Sequence, residues 1–493
     1  MTPPNLLDVA QKTADNAVAI NIVWTLVTGF LVMFMQAGFA LVETGLVRAK
    51  NMAHTMAMNL FVYSVGLIGF WAVGFALQMG GVGAMATFGN DATLAAELTI
   101  EVAGHQLGLF GTRGFFLAPS LCTSGVAAMF LFQAVFMDTA ATIPTGALAE
   151  RWRFSSFVLF SLVISSLIYP LYANWVWGGG WLSALGREFG LGHGHVDFAG
   201  SSVVHMTGGV AAFVGAKILG PRLGKYGPHG EANPIPGHNI GLVVLGTFIL
   251  AFGWFGFNAG STLAGSDARI SVIAVNTMLA SAAGAMMAYL WTRNKFGSPD
   301  LSMMCNGMLA GMVSITAPCA FVSAPIAVLI GGVAGALVVE STLFIERTLR
   351  VDDPVGASSV HGVCGAWGIL ALGLFANGSY GEGLNGVPGG VRGLFHGDTG
   401  QFFASAIGIG VNLVFVGGAT ALALGLLGQL VGNRSTAADE IAGLDIPELG
   451  APGYLSDPDI AIPGTPSAAA PAEATRPFVP WSGGPGIGSA FRR

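Results

Sequence analysis

Six long stretches of this chain contain no Asp, Glu, Lys or Arg: 16–42, 51–90, 154–186, 238–266, 301–339 and 401–433. A helix needs roughly 20 apolar residues to cross the hydrocarbon core of a bilayer. Every one of these stretches is long enough, and 301–339 is long enough for two. The composition agrees. Of the 493 residues, 53% are hydrophobic and only 9% charged, against about 25% charged in soluble domains. That deficit excludes an ordinary soluble enzyme, a disordered protein and a nucleic-acid binder. The net charge of −6 leaves no basic field to draw in phosphate. Seventy-four glycines let membrane helices approach closely. Cys122, Cys305, Cys319 and Cys364 form no C-x-x-C pair and no disulfide framework.

The pattern predicts an all-α polytopic membrane protein with eleven spans, near 18–41, 58–79, 116–137, 155–177, 198–219, 239–259, 269–291, 301–316, 322–345, 356–375 and 402–431. Pro318 and Pro325 break the long 301–339 stretch in two. The first span exceeds a signal-peptide core, and Asp8, Lys12 and Asp15 precede it rather than a basic cluster, so it is expected to be retained. Placing the N-terminus outside puts eleven Lys and Arg, from Arg48 to Arg434, in inner loops. Only Arg113, Arg187, Arg269 and Arg392 fall outside. The C-terminus is then inside. Residues 1–17 read as an outer segment, 18–433 as the membrane domain and 434–493 as a cytoplasmic region. Pro, Ala, Gly and Ser make that region disordered beyond about residue 451. A plasma-membrane-like bilayer, such as a bacterial inner membrane, is the expected location.

Two segments 156 residues apart share a pattern: DFAGSSVVH at Asp197–His205 and DPVGASSVH at Asp353–His361. Gly200 pairs with Gly356, Ser202 with Ser358 and Gly209 with Gly365. The first copy runs inward and the second outward, five spans later. Opposed copies mark an inverted-repeat transport fold with its site near the midplane.

Polar side chains at membrane depth are costly. His205 lies roughly 12 Å down a helix from Asp197, and His361 occupies the equivalent place in the tenth span. A lone buried histidine bonds a backbone carbonyl; two in symmetry-related places point to function. Two ligands fall short of a metal site, and no cofactor motif is present. Phe132 and Phe136 share a helix face, while Phe257 follows Trp254 and Phe255 near the outer end of the sixth span. Trp177 ends the fourth span. By periodicity alone these are packing residues and an interfacial anchor. Topology adds that Trp177, Asp197 and Ser261 all fall on the outer face, where an indole and a hydroxyl would hold a small cation.

Several longer strings carry a family resemblance: GLVRAKN at Gly45–Asn51, GALAERWRF at Gly146–Phe154, WVWGGGW at Trp175–Trp181 and FGWFGFNAGS at Phe252–Ser261. RVDDP at Arg350–Pro354, HGVCG at His361–Gly365 and EIAGLDIPELG at Glu440–Gly450 continue the order. With DFAGSSVVH, they make the chain resemble the ammonium transporters of the Amt/Mep/Rh superfamily, in the Amt branch, over residues 18–450. The resemblance implies a homotrimer with one pore per subunit. It implies a recruitment site from Trp177, Ser261, Phe136 and Asp197, a gate of Phe136 stacked on Phe257, and a pore histidine pair, His205 and His361. It also implies regulation by a cytosolic PII-class protein. Asp138 departs from the family, whose members usually have a small or weakly polar residue there. This acid either packs as a protonated or hydrogen-bonded group or alters cation recruitment or proton movement. Glu43, near Arg48, is expected to bond locally.

A transporter rather than an enzyme follows. A bare cation costs about 20 kcal/mol to bury by the Born estimate. Deprotonating an amine with a pKa of about 10.4 at pH 7 costs roughly 4.6 kcal/mol. Ammonium can shed its charge; potassium and sodium cannot. The expected cycle is NH4+ capture outside, deprotonation beyond the Phe gate and NH3 passage along the histidines, with the proton following separately. The alternatives are a neutral NH3 channel and an ammonium sensor of transporter-like fold. A membrane enzyme lacks a nucleophile, a metal set and a phosphate loop.

Overall fold

A computed structural model describes residues 6–455. Residues 1–5, and most of the tail read as disordered, lie outside the described residues. Among those described, ten helical stretches are long and apolar enough to cross a membrane. In chain order the helices are α1 (Leu6–Leu46), α2 (Ala49–Met79), α3 (Ser124–Leu148), α4 (Phe154–Phe189), α5 (Ser201–Leu219), α6 (Ile240–Gly260), α7 (Arg269–Phe296), the shorter α8 (Leu301–Thr316), α9 (Ala324–Arg347), α10 (Ser358–Phe375) and α11 (Thr399–Leu430). α8 has sixteen residues, or about 24 Å of rise. α4 is interrupted where the helix ends at Trp177, and it resumes at Trp181 after three glycines.

The third span is corrected. It was expected over 116–137, yet the helix starts at Ser124 and runs on to Leu148. Its start is set by Thr123, whose hydroxyl accepts from the Val126 N–H at 3.1 Å, an ordinary N-cap. Its end lies at Leu148, beyond Asp138, which the helix carries in its interior. Most of α3 is buried by other helices rather than by lipid, so the usual exclusion of charge from a lipid-facing helix does not apply there.

Small residues set the close approaches. A Cβ on Gly38 of α1 would press on the Gly246 carbonyl of α6, and one on Gly246 would press on that of Gly38. Without a hydrophobic drive between helices in lipid, such contact is what holds them together.

The loop between α2 and α3 holds a hairpin that the all-helical reading did not include. β1 (Glu97–Val102) pairs antiparallel with β2 (His105–Gly111). It sits at the Trp177 end, with the Trp175 indole donating to Leu109 O at 2.9 Å. Glu97 accepts from Asn174 Nδ2 at 3.1 Å. Burial raises its carboxyl to about 7, against the lowering pull of Asn174.

At the opposite end, charged groups pair across the loops. Glu150 pairs with Arg48 and Arg222, and Arg222 also holds Asp352 through two nitrogens at 2.9 Å. Arg151 donates to the carbonyls of Gly220 and Asp352 at 2.7 Å. Burial alone would raise the Asp352 carboxyl; the hydrogen bonds and charge of Arg222 overcome it and hold it down at about 2. The C-terminal segment lies against this end through two short helices, α12 (Ala437–Ala442) and α13 (Asp445–Leu449). Lys50 Nζ donates to the carbonyls of Glu440 and Ile441 at 2.7 and 2.6 Å. Asp445 accepts from the His54 N–H at 2.9 Å in the first turn of α2.

Candidate functional site

The two repeated motifs build matching structures. Asp197 Oδ1 accepts from the N–H groups of Gly200 and Ser201 at 2.9 Å. Its Oδ2 accepts from Ser202 N, Ser202 Oγ and Val203 N at 2.7 to 2.9 Å. Asp353 does the same at the start of α10, taking Gly356 N at 2.9 Å and Ser358 N at 2.7 Å. Each carboxylate satisfies the orphan donors of a helix start. Gly200 and Gly356 occupy left-handed backbone, with φ of +120° and +77°, which only glycine adopts readily. Both helices then open with a wide π-helical turn, Ser201–Met206 and Ser358–Val363. Each turn carries one histidine. Such turns often mark functional positions.

The half-helices cross where the repeat has its paired glycines. A Cβ on Gly209 would run into the backbone of Gly362, and one on Gly365 into the carbonyl of Ser201. This contact brings His205 and His361 together, with Nδ1 to Nδ1 at 3.3 Å and ring centroids 5.3 Å apart. Both rings are buried, and Nε2 of His205 has no hydrogen-bond partner among the described residues.

The aromatic side chains continue from this pair. Phe257 lies 5.3 Å from His205 between ring centroids, and Phe136 stacks on Phe257 at 4.0 Å with planes 19° apart. Trp177 meets Phe136 edge-on at 6.1 Å. On the far side, Phe39 of α1 meets His361 at 5.9 Å. Six rings thus run in series from Trp177 to Phe39, with the histidines in the second half.

Above the series, a cavity of about 260 Å³ is lined by Trp177, Asp197, Ser261, His195, Phe198 and Tyr380, among others. It gathers three of the four residues expected at the recruitment site; the fourth, Phe136, touches it through Trp177. The Trp177 indole is fixed by donating to Asp197 O at 2.7 Å. Ser261 donates its hydroxyl proton to Phe257 O at 2.8 Å, so its lone pairs stay free to accept. Asp138 stands apart. It is buried on α3, its Oδ1 has no hydrogen-bond partner, and no ion pair reaches it among the described residues.

Sequence reasoning missed several neighbours. Trp254 stacks on His205 at 4.9 Å, although it was noted only as preceding Phe257. His195, two residues before Asp197, has Nε2 at 2.9 Å from Ser202 Oγ and lines the cavity. Phe39 carried no signal beyond hydropathy.

Known proteins share this arrangement's sequence and fold. The model of the Ammonium Transporter Family matches residues 23–454. Ammonium transporter Amt2 of Archaeoglobus fulgidus is 46% identical over 441 residues, 88% of each chain. Ammonium transporter Amt1 of Haloferax mediterranei is 36% identical over 89% of this chain and 80% of its own. Among solved structures, one titled Sensor Amt Protein superposes with a TM-score of 0.77 at 33% identity, covering 88% of this chain and 99% of that one. Mep2 of Candida albicans gives 0.70 at 25% identity over 85% and 87%. A family match across most of the chain, with long relatives well above 30% identity, establishes that this protein belongs to the ammonium transporter family, in its Amt branch.

Proposed function

We propose that this protein, a multi-pass protein of the cell membrane, carries ammonium across it along the ring series from Trp177 to Phe39, as NH3 with its proton following separately. The stack of Phe136 on Phe257 directly above the His205–His361 pair carries the reading. The Trp177 end faces outside and the Arg151 end faces the cytoplasm.

Ammonium is drawn to the cavity by the face of Trp177 and donates to the lone pairs of Ser261. The Asp197 carboxylate is taken up by five backbone and hydroxyl donors, so it acts by holding the helix start and the local field. Phe136 and Phe257 close the way with a dry hydrocarbon contact. An intact cation is stopped there, because burying it costs several kcal/mol even after relaxation. Ammonia, once relieved of its proton, slips past and hydrogen-bonds the imidazoles. The histidines share one proton across their facing Nδ1 atoms, which lets the pair relay it. The reading extends, on family membership, to a homotrimer and to a cytosolic PII-class regulator at the Arg151 end.

An ammonium jump on reconstituted protein, with a potassium jump as control, tests this. A saturable charge movement with ammonium alone is expected. Internal alkalinisation without charge movement would replace it with a neutral NH3 channel. Binding with neither signal would favour the sensor reading, which the solved relative titled a sensor brings forward.

A further inference from the structure

We infer that Glu43 is the inner protonation station of the path, the carboxyl at which conducted ammonia regains its proton. The inference rests on the transport reading above.

Below the histidines lies a second, small cavity of about 20 Å³, room for one molecule the size of water or ammonia. Phe39, Glu43, Asn306, Leu309, Val360 and His361 help to line it. Glu43 stands one helical turn beyond Phe39 on α1, about 6 Å further along, and Phe39 is the last ring of the series. The carboxyl shares the cavity with Asn306 and is therefore the titratable group that a molecule leaving His361 meets there. It is 3% exposed and makes no ion pair among the described residues. The titratable groups that face it are His361 across the cavity and Asp353, whose carboxylate caps α10.

The hydrogen bonds around Glu43 accept both of its charge states. Oε2 lies 2.6 Å from Thr145 Oγ1 and 2.8 Å from Asn59 Nδ2. Thr145 Oγ1 lies equally close, at 2.6 Å, to the Thr142 carbonyl. Thr145 has one hydroxyl proton for two acceptors. When Glu43 is ionised, Thr145 donates to it. When Glu43 is protonated, its own O–H donates to Thr145 Oγ1, and the threonine turns its proton to Thr142. A hydroxyl rotor thus lets the carboxyl take and release a proton with every partner satisfied. Behind it, Thr142 donates to Gln36 Oε1 at 2.9 Å and Gln36 donates to Asn59 O at 2.7 Å, which fixes the surrounding frame.

At the Phe136–Phe257 gate NH4+ gives its proton to Nε2 of His205, which has no other partner among the described residues: an ammonium N–H breaks, an imidazole N–H forms, and NH3 goes on. The proton passes along the histidine pair to the Glu43 carboxylate, forming its O–H bond. Ammonia arriving in the small cavity takes that proton: the carboxyl O–H breaks, an N–H forms, and NH4+ leaves with the carboxylate restored. One NH4+ has crossed, with its charge.

The test is ammonium-evoked charge movement in liposomes for wild type, Glu43→Gln and Glu43→Asp. E43Q is expected to lower it about tenfold or more, as loss of an acid–base group does. E43D, which keeps a carboxyl, is expected to stay within about threefold of wild type. Wild-type current with E43Q within about twofold of it would overturn the assignment and leave the transport reading intact. A silent wild type would bring down the electrogenic reading itself. Should E43Q fail to assemble, Thr145→Val removes only the rotor and keeps the carboxyl. It is expected to displace the pH profile of the current; an undisplaced profile overturns the proposal.

Discussion

A buried histidine pair 3.3 Å apart survives in a membrane protein only where the surrounding side chains hold it. The closest constraint is Gly209, whose missing Cβ admits the backbone of Gly362. Gly209→Ala is expected to push the half-helices apart and cut ammonium transport severely, with a lower melting temperature; overpacking of this kind costs about 1–3 kcal/mol. Transport assays beside thermal unfolding in detergent check it. Asp138 gives a second residue-level prediction. Its carboxyl has an unbonded oxygen and no ion pair, and an unpaired buried polar group is costly. Asp138→Asn keeps its shape, so the melting temperature is expected to hold or rise. A clear fall would mean that the carboxyl does work the amide cannot.

Residues also show what a sequence conceals. Glu43 ends the first uncharged run and so reads as the border of a membrane helix, while Asp138 reads as an acid in the third span that departs from the family. In the structure each is buried inside the bundle, one against a cavity. A charge marks a boundary only where the helix faces lipid. Hydropathy carries no information about which face a residue occupies once neighbouring helices cover all of them.

At the level of elements, the repeated Asp-to-His motif was the most legible feature. Its spacing is the spacing of a capped half-helix, and both copies form one. The hairpin was legible too, and was passed over: Glu97 to Val102 alternates polar and apolar residues in strict period two. Its Glu97 supplies a pH prediction. A carboxyl raised to about 7 in the folded state favours folding while protonated, so stability falls as pH rises from about 4.5 to about 7. Glu97→Gln is expected to remove that fall, which melting curves across the range would show. Asp352 behaves in the opposite sense. Held at about 2, it stabilises the fold when ionised, and that contribution of about 2 kcal/mol is lost as pH falls from about 4 to about 2. Arg222→Gln is expected to flatten the acid limb of the same curves. The C-terminal strap depends on Asp445 at the start of α2, a cap worth about 1 kcal/mol. Asp445→Ala is expected to hasten proteolysis of the segment after Arg434.

For the whole molecule, membership of the family follows from the long motifs in order, and the transport reading follows from the rings they place in series. Orientation rests on loop charges, and one native residue tests it. Cys122 is exposed beside the start of α3, while Cys305, Cys319 and Cys364 are buried. A membrane-impermeant thiol reagent is expected to label intact cells at Cys122; labelling confined to inverted vesicles would reverse the assignment of inside and outside.

The central claim is that ammonium's charge passes along the histidine pair. Charge movement evoked by an ammonium jump, compared between wild type and the His205→Ala, His361→Ala double variant, tests it most directly. The account predicts a saturable, potassium-silent current in wild type and none that is selective for ammonium in the variant. A full, ammonium-selective current without both histidines would contradict it.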